Sequence, residues 1–357
     1  MIETDALIIG AGPVGLFQAF QLGLLEISSH IIDALPHPGG QCVELYADKP
    51  IYDIPGLQVV TGRELIANLL QQVAPFKPKM HLGQLVSTVE AQRDARLLVT
   101  TSTGTTFLAK TLFIAAGVGA FQARIPNVEG IAVHIGQQVH LGLPEGHAWA
   151  QRDVLVLGDS ESALSTAIAL ATQAEKPKSV SLMHRRSVFV AEPATLVTFQ
   201  ALVDTGQIRF VAGQLSGLDV EETNARISAA QYLDAEGKQQ SLPVDEVLVL
   251  LGLSPKLGPI AHWGLDMERR QLKVNTETFA TDHPGIFAVG DINTYPGKKK
   301  LILCGFHECV LAAFGASVIV FPQKKVLLQY TTTSTRLHAL LGVDSSGVGQ
   351  KPKKDTL

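Results

Sequence analysis

Gly10-Ala11-Gly12-Pro13-Val14-Gly15 follows the apolar run Ala6-Leu7-Ile8-Ile9 and opens a stretch of helical apolar spacing, Val14 to Leu25. Glycines at this spacing permit a sharp turn at Gly10, backbone approach to a pyrophosphate at Gly12, and close packing of helix on strand at Gly15. Pro13 stands where the helix begins, and that helix end presents free amides and a partial positive charge to a phosphate. Asp33 closes the next apolar run, His30-Ile31-Ile32, where a carboxylate can hold both hydroxyls of an adenosine ribose. The same charge repels a 2′-phosphate, so this turn is read as a site for FAD or NAD and not NADP. The competing reading is an ordinary glycine turn.

A second such constellation lies about 150 residues on. Gly158-Asp159-Ser160-Glu161-Ser162-Ala163 follows Val154-Leu155-Val156-Leu157, with Ser160 in the place of the second glycine. The serine adds a side chain where a pyrophosphate must approach. Gly158, Ser160, Glu161 and Ser162 are nevertheless candidates for nucleotide contact. At the end of the following strand stands His184-Arg185-Arg186, in the position that Asp33 holds in the first turn. Two guanidiniums can grip a 2′-phosphate bidentately. An acid in one repeat and paired arginines in the other predict FAD in the first fold and NADPH in the second; the plain alternative is a solvated basic strand end.

These turns need elements to hold them. Strand, turn, helix and strand fill the first 35 residues, and the continuous apolar strands suit a parallel sheet covered on both faces. Leu35 to Gly56 reads as a long functional loop. Thr61-Gly62-Arg63-Glu64 is a capping box, so a helix begins at Thr61. Strands are read between Gln84 and Ile114, then a second strand-turn-helix-strand unit, a strand near Val247 to Leu251, another at Ile286-Phe287-Ala288-Val289, and a helix from about Gly305 to Val320. The fold class is therefore α/β, with two Rossmann-like dinucleotide-binding domains, one inserted into the other. The boundaries are read as residues 1–118 and 253–343 for the FAD domain, 119–252 for the NADPH domain, and 344–357 as a flexible tail.

The bulk composition agrees. The chain has 357 residues, of which 46% are hydrophobic and 17% charged, and a net charge of -4 without long basic runs, which argues against a nucleic-acid partner. The longest apolar run, Cys309 to Phe321, falls short of the ~20 residues that span a bilayer, and no export signal is read at the start. Three cysteines without paired spacing point to a reducing cytoplasm. No metal or nucleophile cluster is read among the 11 histidines and those cysteines.

Thr281-Asp282-His283-Pro284-Gly285-Ile286-Phe287-Ala288-Val289-Gly290-Asp291 resembles the second FAD fingerprint of two-dinucleotide-fold flavoproteins. By that resemblance Gly290 and Asp291 bind FAD, with Asp291 on the ribityl chain. Disulfide reductases of that group relay electrons through a cysteine pair. Here the partner expected five residues after Cys42 is Ala47, and residues 119–252 contain no cysteine. Further segments are similar to the thioredoxin-reductase-like class of ferredoxin (flavodoxin)–NADP reductases. They are Pro38-Gly39-Gly40-Gln41, Leu45-Tyr46, Ile51 to Gly56, Thr294-Tyr295-Pro296-Gly297-Lys298 with Lys300-Leu301-Ile302, and Gln329-Tyr330-Thr331-Thr332-Thr333-Ser334. The resemblance implies Tyr46 on one flavin face, Tyr330 on the other, and Thr332 or Thr333 near the flavin N5. It adds Gly40, Gln41, Tyr52, Ala116, Gly117 and Phe121 as cofactor-binding candidates. It also implies a homodimer with ferredoxin or flavodoxin as carrier, for which Lys298-Lys299-Lys300 and Lys324-Lys325 are candidate basic patches. Three departures stand out: Ser160, Val190 where a further arginine is common, and His307-Glu308-Cys309 where small residues usually precede the last helix. The alternatives are a quinone or oxygen acceptor, or an FAD-binding sensor without NADPH chemistry.

Overall fold

The computed structural model describes residues 1–343 except 145, 222, 224 and 325, and the backbone but not the side chain of Phe121. The chain divides into two compact units, Met1–Phe121 with the residues from Pro255 on, and Gln122–Ser254.

The first unit begins with β1 (Ile2–Ile9), α1 (Pro13–Leu24) and β2 (Ser29–Ile32). After the loop comes α2 (Gly62–Val73), capped as its sequence predicts. Thr61 accepts from the Glu64 amide, and the Glu64 carboxylate accepts from the Thr61 amide at 2.8 Å. Next are β3 (Lys79–His81), β4 (Val86–Ala91), β5 (Leu97–Thr101) and β6 (Thr106–Ile114).

The second unit holds β7 (Val139–His140), β8 (Asp153–Leu157), α3 (Glu161–Thr172), β9 (Ser179–His184), α4 (Pro193–Asp204), β10 (Arg209–Val220), β11 (Ile227–Asp234), β12 (Gln239–Pro243) and β13 (Glu246–Val249). Its sheet runs β7-β13-β8-β9-β10-β11-β12. The first five strands are parallel and the last two form an antiparallel meander.

The chain then returns to the first unit with β14 (Ile286–Ala288), α5 (Ile302–Val320) and α6 (Thr335–Leu341). The parallel part of that sheet runs β3-β2-β1-β6, and β6 is shared on its other side, by antiparallel β5 over its first half and by parallel β14 over its second. Ile8, opposite Ile31 and Phe113, is fully buried, as a strand covered on both faces requires. Helix α5 is longer than the apolar run suggested. Its 19 residues are enough by length and composition to cross a bilayer, but one face (Gly305, Glu308, Cys309, Ala312, Ala316) is buried within the first unit.

Candidate functional site

Strand register assembles the first site. Ile9 lies opposite both Ile32 and Ile114, and Ala288 also pairs with Ile114. The residues that follow these four strands are therefore neighbours: Gly10, Asp33, Ala115 and Val289. This is the crevice beyond the carboxyl ends of the strands, where open α/β sheets bind ligands. The cleft found there is lined by Gly10, Gly12, Pro13, Asp33, Gly40, Gln41, Tyr46, Ala116, Gly117, Gly290 and Asp291, all sequence candidates.

Gly10 adopts φ +110°, and a side chain there would strike the Ala115 carbonyl at 2.4 Å; one on Gly15 would lie 1.8 Å from the Gly10 carbonyl. Turn and helix therefore close only with glycine at both places. Gly12 differs, because the space where its side chain would stand is open, which leaves room for a phosphate against its backbone. No side chain caps α1 at Gly12.

The Asp33 carboxylate accepts from the Ala11 amide at 2.6 Å and the Leu35 amide at 2.8 Å. Desolvation outweighs those bonds and pushes its pKa above the ordinary value. It is a partly buried acceptor lining the cleft. Gln41 reaches from the single-turn helix Gln41–Glu44 toward Asp291, its amide donating at 3.4 Å. Tyr46, half-buried, receives a 3.6 Å contact from the Cys42 thiol, and burial raises its phenol pKa.

Sequence reasoning missed Glu308. It is fully buried at the start of α5, beneath the Gly290-Asp291 turn. One oxygen accepts from the Gly290 amide at 2.7 Å and from the Asn293 side-chain amide at 2.8 Å; the other accepts from the Tyr295 hydroxyl at 2.9 Å and from the Lys298 ammonium. Lys298 also donates to the Gly290 carbonyl at 2.8 Å. Burial, followed by the Glu308 charge, raises the Tyr295 pKa and keeps it a donor. Lys298 thus leaves the expected carrier patch, because its side chain is 6% exposed and spent on Glu308; Lys299 and Lys300 stay exposed, with Lys300 at the cleft. The departure at Glu308 could have flagged the position, but its donors are visible only in the fold. Gln84, Leu85, Val86, Leu257 and Ile260 also line the cleft without any motif to announce them.

Other candidates lie elsewhere. Tyr52 is 71% exposed on the loop beyond the strand Pro50–Ile51 and does not line the cleft. Tyr330, Thr332 and Thr333 are exposed and also absent from it. His338 of α6 bonds the Thr331 carbonyl, and Arg336 pairs with Glu26 beyond the far end of α1, a helix about 18 Å long. That anchoring holds the segment away from the cleft at the near end. Phe121's side chain, Lys325 and residues 344–357 lie outside the described residues.

The second turn repeats the first. Leu157 pairs with Met183 and Val249, so Gly158 and His184 emerge side by side. Gly158 has φ +152°, and a side chain would meet the Leu250 carbonyl at 2.4 Å. Ser160 opens α3 without capping it, leaving the first-turn amides uncapped by its hydroxyl. Ser162 is exposed. The Glu161 carboxylate accepts from Thr195 at 2.7 Å and the Glu192 amide at 2.8 Å, stapling α3 to the start of α4, and these bonds lower its pKa. His184 lies 3.3 Å from Asp159, while Arg185 and Arg186 are exposed with no carboxylate within 4 Å among the described residues.

Two glycine-turn folds, one with a desolvated carboxylate at the ribose position and one with exposed arginines, define a two-dinucleotide-fold nucleotide-binding protein. The model of the pyridine nucleotide-disulphide oxidoreductase family matches residues 4–305. The chain is 55% identical over 345 residues to a ferredoxin–NADP reductase of Polaromonas naphthalenivorans (strain CJ2), covering 96% of this chain and 94% of that one. It is 54% identical to a ferredoxin–NADP reductase of Albidiferax ferrireducens, covering 96% and 97%. A thioredoxin reductase from Gloeobacter violaceus shares the fold, with TM-score 0.56, 21% identity, and 92% and 98% coverage. So does a bacillithiol disulfide reductase from Staphylococcus aureus, with TM-score 0.56, 19% identity, and 89% and 99% coverage. The chain belongs to the pyridine nucleotide-disulphide oxidoreductase family, among relatives named ferredoxin–NADP reductase. Its own three cysteines are free.

Proposed function

We propose that this protein is an FAD-dependent ferredoxin–NADP(+) reductase. FAD is held in the first fold, and NADPH is taken by the second. The observation that carries the reading is the charge contrast at equivalent strand ends: Asp33 desolvated in one unit, Arg185 and Arg186 open to solvent in the other. FAD, when bound, supplies the hydride acceptor and the one-electron donor. The chain's residues do the holding. Gly10 to Gly15 and the first-turn amides of α1 take the pyrophosphate, Asp33 the ribose diol, and Asp291 with Gln41 the ribityl chain. Tyr46 covers the ring from one side and excludes water there. Arg185 and Arg186 select the 2′-phosphate of NADPH. The chain's three free cysteines form no pair, so bound FAD would pass electrons to a carrier without a dithiol relay.

Ferredoxin or flavodoxin is the carrier in this reading, and Lys299 and Lys300 beside the cleft supply a positive rim for an acidic partner. A homodimer is part of the proposal, since Tyr330, Thr332 and Thr333 reach a flavin only from a second copy if they are held as in this chain. A cytoplasmic location without a membrane completes it, the burial of one face of α5 and of Glu308 being the support. The test is anaerobic titration of the purified yellow protein with NADPH and NADH, then ferredoxin. NADPH bleaching the flavin and ferredoxin restoring its colour is the expected result. Failure of NADPH to bleach it, or rapid NADPH oxidation by oxygen alone with no response to ferredoxin, overturns the reading.

A further inference from the structure

The second unit carries a side-chain cluster that its nucleotide turn does not use. Edge strand β7 pairs in parallel with β13, His140 opposite Leu248, which sets the imidazole of His140 beside the carboxylate of Glu246. His140 Nε2 and Glu246 Oε2 are 2.8 Å apart. The segment leaving β7 turns back and brings His147 Nε2 to 3.8 Å from the same oxygen. The three ligand atoms lie within 4.8 Å of one another. Glu246 has a side chain 4% exposed and His140 9%. Trp149 packs on both imidazoles, its ring centroid 5.9 Å from His140 and 4.4 Å from His147.

A His–Glu hydrogen bond by itself would satisfy a buried pair, but it leaves the third group unexplained. The His147 side chain is 27% exposed, but its Nε2 is covered and has no hydrogen-bond partner among the described residues. Two imidazole nitrogens converging on one carboxylate oxygen are the donor set of a divalent ion. Bonds of ~2.0–2.1 Å in a tetrahedron set ligand atoms about 3.3 Å apart. The two histidine–Glu246 spacings, 2.8 and 3.8 Å, bracket that value, and the spacing between the two imidazoles lies within 4.8 Å. Arg226 stands 4.0 Å from Oε1, the carboxylate oxygen turned from the histidines, as an outer partner to the carboxylate. Sequence reading found no metal cluster because the ligands are dispersed, and only strand pairing and the returning segment gather them.

We infer that His140, His147 and Glu246 form a site for a divalent ion of the zinc type. The ion fastens the segment carrying His147 to the sheet edge, and a fourth position stays open to water. It is independent of the electron-transfer reading, so its test does not use activity.

Chelator-treated, FAD-loaded protein is titrated with Co(II), followed by the cobalt absorption of an imidazole-ligated tetrahedral site and by quenching of Trp149 fluorescence; Zn(II) is then added to displace it. One equivalent bound in the micromolar range or tighter, reversed by zinc, is expected. His147→Ala weakens binding at least tenfold, and Glu246→Gln does the same. Zinc raises the melting temperature of the wild type and not of His147→Ala, whose circular dichroism and flavin content establish that it folds. Binding well below one equivalent, or His147→Ala retaining wild-type affinity because an adventitious ion sits on surface carboxylates only, overturns the proposal.

Discussion

Replacing Glu308 by Gln tests whether one buried carboxylate holds the Gly290-Asp291 turn in place. Glu308 takes bonds from four groups, two on each oxygen, and is itself 0% exposed. A glutamine keeps the shape but offers one oxygen and one NH2. If the NH2 faces Gly290 and Asn293, two buried donors lose their acceptor, at ~1–3 kcal/mol each. In either orientation the neutral side chain removes the counter-charge of the 6% exposed Lys298 ammonium, and breaking such a pair costs ~3–5 kcal/mol. Either orientation therefore gives a loss of at least roughly 3 kcal/mol. Because Asp291 follows Gly290 directly, the loss extends to flavin retention. Urea unfolding and FAD dissociation measured by released flavin fluorescence form the assay. Adding Lys298→Met to Glu308→Gln removes the stranded charge and recovers part of the loss, so the two changes are strongly non-additive. A loss below ~1 kcal/mol with unchanged FAD dissociation, or strict additivity, refutes the account.

Asp33 sets a pH dependence. Its pKa is raised in the flavin-free fold by desolvation. Its contribution to apoprotein stability is thus present below the ordinary carboxylate value and lost as pH rises through its own. FAD binding needs the carboxylate and runs the other way, weakening as pH falls through that raised value. FAD affinity between pH 4 and 7 checks this, and Asp33→Asn should flatten the profile. Arg185→Ala and Arg186→Ala should each raise KM for NADPH by roughly 10- to 100-fold, from the loss of a charge-assisted bond worth ~1.5–3 kcal/mol, and leave KM for NADH nearly unchanged. Equal effects on both nucleotides would remove the arginines from 2′-phosphate selection. Lys299→Glu should raise KM for ferredoxin at low salt, with the difference shrinking as salt is added. An unchanged low-salt value takes that patch out of the carrier surface.

The legible parts of this chain were those whose causes are local. An apolar tetrad, a glycine at the turn and a capping box act over a few residues, so both strand-turn-helix units and the start of α2 could be read directly. The acid of one repeat and the arginines of the other were equally plain, because a strand end places its next residue at the crevice whatever else surrounds it. Tyr52 and Tyr330 do not line the cleft of this chain, because the sequence reveals an aromatic but not which way its segment is anchored. Arg336 and His338 supply that anchor on the far side of the unit.

The amino-acid order alone thus determined that there are two nucleotide-binding folds, and which charge stands at each equivalent strand end. Register and packing decided the rest. Ile9, Ile32, Ile114 and Ala288 had to align before Gly10, Asp33, Ala115 and Val289 became neighbours. Glu308 had to be carried on α5 beneath Gly290 before Lys298 became its partner and ceased to be a surface charge. His140, His147 and Glu246 had to meet across a sheet edge to be a cluster at all. Interactions that span many residues are set by the whole chain's burial of its apolar strands, and no local spacing encodes them.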